Sequence, residues 1–406
     1  MVRAVAAHGY GATTVRQLSA LAGVSTRTLY ELFSAGKQEC FFSAYDAAIR
    51  RMARRVAVAY VSERDRKRRL ARALEAFACE VRDEPQAARL ILLEVFAAGP
   101  AALERMEHAQ RLFEGMVALS FRQTAGGLAT PPFLVKGVVA GGARVARVHL
   151  LAGRERELPA LTGELLKWAL SYRSSAAATL ESLVSTRGPV VAPTAVSAAR
   201  GQRRDDHARI LDAVAQLAAR DGYETLTAAG IAAAAGLSRK RFTAHFEDVP
   251  SCFMAAVEHL TNCALAEAAI AGAAGPDWPG GVHRALSALC AYIAADPLFA
   301  RLAFVEVFAL GPDGVRFREA GMARLIESFR ASAPSAQRPS RLAAEASVGA
   351  VWGVVHHHVA NGAIKRLPTI APQLSFLALA PALGAQGAVS AILAEDARMR
   401  ALIAAA

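Results

Sequence analysis

Apolar residues near the N-terminus recur at helical spacing in two short runs with a brief break between them. This spacing predicts two consecutive helices, each with one buried face. The residues expected to face the interior are Val15, Leu18 and Leu21 in the first helix and Leu29, Leu32 and Phe33 in the second.

The residues at the ends of these helices predict where each begins and how the chain turns. Thr14 is a good N-cap, and Gln17 three residues later completes a capping box. Gly23 suits a left-handed turn position, and Ser25 caps the second helix. The stretch therefore predicts a helix-turn-helix whose second helix could enter a DNA major groove. Its outward face is formed by Thr26, Arg27, Thr28 and Tyr30.

The second half of the chain repeats this stretch. Gly222-Tyr223 matches Gly9-Tyr10, and Ala235-Gly236-Leu237-Ser238 matches Ala22-Gly23-Val24-Ser25. Taken alone, one copy would fit an ordinary helical hairpin with a solvated face about equally well, but two copies disfavour that interpretation. The repeat continues beyond the hairpins, because residues 88–100 match 300–312 and residues 135–152 match 344–361.

Composition favours an all-helical protein that binds a polyanion. The chain has 406 residues, enough for two or more domains, and its net charge of +12 gives a pI near 10. Residues 1–200 hold 28 Lys and Arg against 17 Asp and Glu, whereas the remaining residues hold 19 against 18. The first half is therefore the better candidate for contact with DNA.

At these residues the sequence resembles the TetR family of transcriptional regulators. The matching pattern is Gly-Tyr, Thr-Val-x-x-Leu, Ala-Gly-Val-Ser-x-x-Thr-Leu-Tyr-x-x-Phe and then Lys37, which opens the next helix. The resemblance is specific in residues 9–45 and 208–260 and general elsewhere. It implies an all-α fold of two TetR-like units, each with an N-terminal helix-turn-helix head and a helical ligand-binding and dimerisation body, arranged as a pseudo-dimer.

The resemblance also sets the expected domain boundaries. The linker between the two units contains Gly188, Pro189 and Pro193, which disfavour a helix. Residues 2–8 predict a first helix shorter than its counterpart, which starts at Asp206. The expected divisions are head 1 at 1–45, body 1 at 46–183, the linker at 184–204, head 2 at 205–257 and body 2 at 258–406.

The resemblance implies specific DNA contacts. Tyr30 and Lys37 would grip the DNA backbone, while Thr26 and Arg27 would face base edges. Head 2 has Thr243 where head 1 has Tyr30, so it is expected to bind more weakly or to read a different half-site. The candidate contacts are Thr14, Ser25, Thr26, Arg27, Thr28, Tyr30 and Lys37 in head 1, and Ser238, Arg239, Lys240, Arg241, Thr243 and His245 in head 2.

Charged residues inside apolar segments of the bodies need partners. Arg89 and Glu94, like Arg301 and Glu306, are five residues apart, so they are not expected to stack as an i,i+4 pair. Each is expected to contact another helix, and a structural ion pair is favoured over a ligand contact. The candidate pocket for an unknown small apolar effector comprises Arg89, Leu93, Phe96, Phe113, His149, Phe304, Phe308, Trp352 and His356.

Metal, membrane and enzyme functions are disfavoured. Neighbouring residues on a helix point about 100° apart, so His356, His357 and His358 cannot converge on one ion. The five cysteines lack ligand spacing, which suits a reducing cytoplasm. The uncharged stretch from residue 368 to 394 is interrupted by Pro372 and Pro381, which favours buried packing helices over a membrane span. No nucleophile elbow, phosphate loop or paired carboxylates are found, so no enzyme and no cofactor is predicted.

The expected function is that of a cytoplasmic, ligand-responsive regulator, most simply a repressor. Its two non-identical heads would bind an asymmetric double-stranded DNA operator. One chain would act as an intramolecular pseudo-dimer, or two chains would form a homodimer. The alternative is a ligand- or partner-binding protein with degenerate heads that bind DNA weakly. The sequence does not identify the effector, the operator or the sign of regulation.

Overall fold

The structure, a computed structural model, describes residues 1–122, 130–187 and 205–405, and this part of the chain is helical without any strand. The fold is all-α, as the sequence predicted. The helices of the first half are α1 (Val2–Ala12), α2 (Val15–Ala22), α3 (Thr26–Leu32), α4 (Lys37–Ser62), α5 (Arg69–Asp83), α6 (Pro85–Leu92), α7 (Pro100–Arg122), α8 (Pro132–Leu151), α9 (Leu158–Ser171) and α10 (Ala176–Arg187). Those of the second half are α11 (Asp206–Asp221), α12 (Ala228–Ala234), α13 (Arg239–His245), α14 (Val249–Ala273), α15 (Trp278–Ala295), α16 (Pro297–Phe304), α17 (Pro312–Ser332), α18 (Arg341–Ala360) and α19 (Ala371–Ala405). Short 3₁₀ segments, Glu94–Ala98 and Glu306–Leu310, follow α6 and α16.

The helices group into two compact units. The first unit comprises Met1–Ala178, Gly311–Ala331 and Arg338–Gly353, and the second comprises Thr179–Leu310, Ser332–Gln337 and Val354–Ala406. The first unit thus includes α17 and the first half of α18, which the sequence assigns to body 2. Of the predicted linker at 184–204, residues 184–187 end α10, and residues 188–204 lie outside the described part of the chain.

The N-terminal head is built on a very small core. Ala4, Leu18 and Leu29 form its buried centre, and partly buried neighbours such as Val15 and Phe33 pack around them. The prediction that Leu21 and Leu32 are buried is wrong, because these side chains are 52% and 66% exposed. Helices of eight and seven residues enclose too small a core to cover apolar residues near their C-terminal ends.

The body of the first unit surrounds the long helix α4. This helix begins at the head and continues past α5, α6 and α7, while α5 also packs on α9. Tyr45, Met52, Val56 and Tyr60 are buried along its length. One continuous helix therefore joins the head to the centre of the body.

Within the first unit, α8 crosses α18 at glycines. A methyl group on Gly349 would come within 2.7 Å of the Cβ atom of Arg144, and one on Gly353 within 2.2 Å of the Cβ atom of Ala140. In the repeat, Ala140 matches Gly349 and Arg144 matches Gly353. Each close approach therefore has a reciprocal copy in the repeat. Nearby, the indole N–H of Trp168 donates to the hydroxyl of a serine on α18, at 3.0 Å.

The second unit is centred on α14, α15 and α19. His283 on α15 is fully buried, with Nδ1 2.7 Å from Ser375 Oγ and Nε2 2.9 Å from Asp396 Oδ1. Arg284 pairs with the buried carboxylate of Glu395. These contacts hold the apolar helix α19 against α15.

The apolar stretch at the C-terminus packs as a helix bent into two parts. By length and composition, Ile364–Leu402 could cross a membrane, but half of its most apolar window is buried inside the protein. Residues 371–380 are all buried, and Gly384 breaks the helix with a φ of 72°. This agrees with the prediction of buried packing helices.

Candidate functional site

The local chemistry predicted for the first helix-turn-helix is confirmed. Thr14 Oγ1 accepts the backbone N–H of Gln17 at 3.2 Å, and Gln17 Oε1 accepts the backbone N–H of Thr14 at 2.8 Å. Gly23 adopts a left-handed φ of 68°, and Ser25 Oγ accepts the backbone N–H of Thr28 at 3.0 Å. The capping box, the turn and the second cap together fix the angle at which α3 leaves α2.

The outward face of α3 is open to solvent. Thr26 and Arg27 are exposed, and Arg27 makes only a surface ion pair with Glu31, at 3.0 Å. Thr28 is half-buried beside the Ser25 cap. Tyr30 is 52% exposed and lies over Gly36, where a Cβ atom would come within 3.0 Å of the ring. A face with short polar side chains and one long cation suits contact with base edges.

Lys37 occupies a position that sequence reasoning did not foresee. Its Nζ donates to the backbone oxygens of Tyr10 and Gly11, at 3.1 and 3.3 Å, and lies 4.3 Å from the centre of the Tyr10 ring. The amine therefore binds carbonyl groups at the C-terminal end of α1, where a cation is electrostatically favoured. Its predicted contact with a DNA phosphate remains a prediction.

The second head has the same local geometry. Gly236 adopts a left-handed φ of 66°, and Ser238 Oγ accepts the backbone N–H of Arg241 at 3.3 Å. Gly230 cannot complete a capping box as Gln17 does, yet its N–H still donates to the Thr227 cap, at 3.1 Å.

The residues of the second head that are predicted to contact DNA differ in the contacts that they make within the protein. Arg239 and Lys240 are exposed, whereas Arg241 pairs with Asp206 of α11 at 2.6 Å. Thr243 Oγ1 donates to the backbone oxygen of Lys240 at 3.1 Å. The ring of His245 is exposed and lies 6.0 Å from that of a second histidine on α11.

A buried glutamate ties each head to its body. Glu94 Oε2 accepts the backbone N–H of Tyr10 at 2.8 Å, and Glu306 Oε2 accepts that of Tyr223 at 3.0 Å. In each case the preceding glycine breaks the helix with a positive φ, 76° at Gly9 and 87° at Gly222, which frees the tyrosine N–H from its helical partner. The repeated Gly-Tyr and Glu residues were the sequence signal for these contacts.

The charged pairs in the apolar segments differ from the sequence expectation. Arg301 pairs directly with Glu306 at 3.0 Å, because the α-helix ends at Phe304 and a 3₁₀ segment follows. In the first copy, the guanidinium of Arg89 instead donates to a backbone oxygen at the end of α8, at 3.1 Å. Burial raises the pKa of Glu94, against the opposing effects of the Tyr10 N–H and the charge of Arg89.

The body of the first unit encloses a largely apolar pocket. It is lined from all six helices α4 to α9 and has a volume of about 120 Å³, compared with the roughly 10–15 Å³ that one water needs on such a measure. Tyr45 and Met52 contribute from α4, Ile91 from α6 and Trp168 from α9. Among the described residues that line it, Arg147 alone carries a charge. A pocket with this lining suits a small, mainly apolar molecule.

The structure disperses the predicted pocket residues. Phe113 lies in the wall of this pocket. Arg89, Leu93, Phe96 and His149 belong to the same unit but lie outside its lining, and Phe96 instead packs edge-on against Trp352 with ring centres 6.4 Å apart. In the second unit, Phe308 packs against His356 with ring centres 6.2 Å apart, and the partly buried Phe304 packs against Phe299. Sequence reasoning missed other lining residues, Arg147 and Tyr45 among them, because their positions fit ordinary helical spacing and gave no separate signal.

One side-chain network in the second unit has the connectivity of a catalytic triad, but its geometry is structural. Ser375 is fully buried, and its hydroxyl donates to the backbone oxygen of Ala371 at 2.9 Å while it meets His283. A nucleophile must be able to reach its substrate, and this hydroxyl is enclosed. Within the described residues, no group of three or more His, Cys, Asp or Glu side chains is placed to hold a metal ion.

Comparison with known proteins places the first head in a family. Residues 2–44 match the family model for bacterial regulatory proteins of the tetR family. No curated protein sequence matches the chain. A solved structure of the fatty acid degradation regulator FadR from Bacillus halodurans aligns with a TM-score of 0.37 and 15% identity, covering 44% of this chain and 96% of that one. The match over residues 2–44 identifies a DNA-binding domain of the tetR family, and it supports a DNA-binding transcriptional regulator.

Proposed function

We propose that this regulator is a ligand-responsive repressor in which two tetR-like halves are fused in tandem. Its two non-identical heads would bind an asymmetric operator, and a small molecule in the body of the first unit would release the DNA. The observation that carries the proposal is the pocket at the centre of a body whose main helix, α4, begins at the DNA-binding head.

The tandem arrangement is supported by backbone geometry. Positive φ angles occur at matching glycines in both halves: Gly9 and Gly222, Gly23 and Gly236, Gly99 and Gly311, and Gly153 and Gly362. Such angles are costly for residues with a Cβ atom, so their recurrence reflects a shared fold rather than shared composition. The reciprocal contacts of α8 and α18 add support for a pseudo-dimer, since a two-fold interface repeats each contact.

A physical route from the pocket to the head supports ligand control. Tyr45 and Met52 of α4 line the pocket, and so do Ile91 and Leu92 at the end of α6. The segment that follows α6 carries Glu94, which holds the backbone of the head. A ligand that displaces α4 or α6 would therefore act on both attachments of the head.

DNA binding tests the proposal directly. The full-length protein is titrated against fluorescently labelled DNA from upstream of its own coding region and against a scrambled duplex, with molecular mass measured in parallel. We expect sequence-selective binding by a single chain. We also expect Arg27→Ala to weaken binding to the upstream DNA by about 5- to 150-fold, because one good contact to a base edge contributes about 1–3 kcal/mol.

Arg82→Ala is the matched control, since it removes the same charge from an exposed residue of α5, away from the head. It should leave the affinity unchanged. Selective binding only by a two-chain species would retain the regulator but replace the pseudo-dimer with a conventional dimer.

A ligand- or partner-binding protein with degenerate heads is the second candidate. The pairing of Arg241 with Asp206 favours it, because that arginine is already committed to a contact within the second head. Weak, non-selective binding that disappears with salt would establish this alternative. It would also contradict the operator-binding role proposed for the heads.

A further inference from the structure

We infer that the pocket of the first unit takes an apolar ligand with one anionic group, which Arg147 binds with Arg144 behind it. The chemical class that fits is a carboxylate with a short aliphatic chain. The inference rests on the proposed function only in treating this pocket as the effector site.

Three buried arginines lie around one carboxylate, that of Glu319. Its Oε1 lies 2.5 Å from Arg318 Nη2, and its Oε2 lies 2.9 Å from Arg144 Nη2. The closest approach of Arg147 to this carboxylate is 3.8 Å, from Nη1 to Oε1. The carboxylate thus lies closer to two other arginines than to Arg147.

The remaining contacts of Arg147 do not neutralise its charge. Its Nε donates to the neutral backbone oxygen of Leu92 at 2.9 Å, and its guanidinium lies 4.9 Å from the centre of the Phe96 ring. The side chain is only 6% exposed. Burial, together with the neighbouring charges of Arg318 and Arg144, lowers the pKa of Arg147 to about 9. A buried charge without a close counter-ion is unfavourable, so an anion bound here would stabilise it.

Two further donors point to the same chemistry. Arg144, which is 2% exposed and lies three residues before Arg147 on α8, has Nε and Nη1 buried without a hydrogen-bond partner. The hydroxyl of Tyr45, which lines the pocket, is also buried without a partner. Buried donors are rarely left unpaired in native proteins. A ligand that brings a hydrogen-bond acceptor into the pocket would supply the partner that the Tyr45 hydroxyl lacks, while Arg144, which lies outside the pocket lining, adds positive charge behind Arg147.

The rest of the pocket selects the other end of the ligand. Apart from Arg147, its walls are formed mainly by aliphatic and aromatic side chains such as Met52, Phe77 and Val138. A ligand with many polar groups would bury them against these walls without partners. The cavity of about 120 Å³ is close to the roughly 150 Å³ of a cavity that takes benzene, so it suits a small ligand. A single carboxylate on a short aliphatic chain meets both requirements.

Three probes of equal length separate charge from apolar burial. Octanoate, 1-octanol and octylammonium are titrated into the full-length protein by calorimetry. We expect octanoate to bind at least about 10-fold more tightly than 1-octanol, because a hydrogen bond between ionised groups is stronger than one to a neutral hydroxyl. Octylammonium should bind most weakly, since Arg147 repels it.

Variants of one arginine test the assignment. Arg147→Met should weaken octanoate by about 10- to 100-fold while leaving 1-octanol within about twofold, because the variant keeps the apolar volume. Arg147→Lys should recover part of the loss. Arg89→Met is the matched control, because Arg89 is an arginine of the same unit outside the pocket lining, and it should bind octanoate like the wild type.

The outcomes separate this inference from the proposed function. Equal binding of octanoate and 1-octanol, tighter binding of octylammonium, no binding of any probe, or unchanged octanoate affinity in Arg147→Met would each overturn the ligand class. Octanoate binding that depends on Arg147 but leaves the protein on its DNA would support the ligand class and overturn release by effector. DNA release by 1-octanol but not by octanoate would support release by an effector and overturn the ligand class.

Discussion

The bond between Glu94 and Tyr10 gives the sharpest test of how the first head is attached. Glu94 is 5% exposed and belongs to the segment that follows α6, while Tyr10 follows the break at Gly9 in α1. Since the break removes the helical acceptor of the Tyr10 N–H, the carboxylate is the acceptor that protects this amide. Glu94→Ala removes the acceptor, and Glu94→Gln keeps one without the charge.

The expected size of the effect follows from the cost of an unpaired donor. Leaving a buried N–H without its acceptor costs about 1–3 kcal/mol, and 1.4 kcal/mol corresponds to a factor of ten. Because this bond is only partly buried, the loss lies toward the lower end of that range, and hydrogen exchange of the Tyr10 amide should accelerate by about 5- to 10-fold in Glu94→Ala. Glu94→Gln should change it far less. Glu94→Ala should also weaken DNA binding, because the head is held less firmly against its body.

Hydrogen exchange is measured by mass spectrometry on peptides from α1 and from the matching segment around Tyr223. One experiment therefore reports on both attachments of a head to its body. Glu306→Ala is the internal control. It should accelerate exchange at Tyr223 and leave Tyr10 unchanged, because each glutamate serves its own unit. Unchanged exchange at Tyr10 in Glu94→Ala would refute the idea that the carboxylate anchors the head.

Four further results are expected. Gly353→Ala should lower the free energy of unfolding by roughly 1–3 kcal/mol in urea titrations, because its methyl group would collide with Ala140. Gly321→Ala on α17, where no atom lies within 4 Å of a new methyl group, should be neutral or slightly stabilising. Asp396→Ala should destabilise the second unit by about 1–3 kcal/mol, since it leaves Nε2 of the buried His283 without its hydrogen-bond partner, and circular dichroism during denaturation should show this loss. Calorimetry should find one octanoate per chain rather than two.

Local chemistry made the first helix-turn-helix predictable. Thr14, Gly23 and Ser25 act on backbone groups within a few residues of themselves, so their roles can be predicted from the neighbouring residues alone. The exposure of Leu21 and Leu32 was not predictable in this way, because it depends on how much surface a three-helix head can cover.

The pocket was less predictable because it depends on contacts between distant segments. Arg147 on α8 reads as an ordinary polar position, and only the fold places it beside Leu92 and Phe96. The pairing of Arg301 with Glu306 was missed for a different reason. Helical spacing was assumed throughout the segment, whereas the chain changes to a 3₁₀ turn between these residues.

The two halves repeat the same segments in sequence but differ at the position where the proposed ligand would bind. In the repeat, Phe96 matches Phe308 and Arg147 matches His356, so an aromatic ring is kept beside a residue whose charge differs. Arg147 lies over the face of its ring, whereas His356 meets its ring edge-on. A homodimer cannot make this distinction, because both subunits carry the same residue at each position. In the proposed fusion, one body would carry an anion-binding arginine while its counterpart carries a histidine, which is the basis for expecting one ligand per chain.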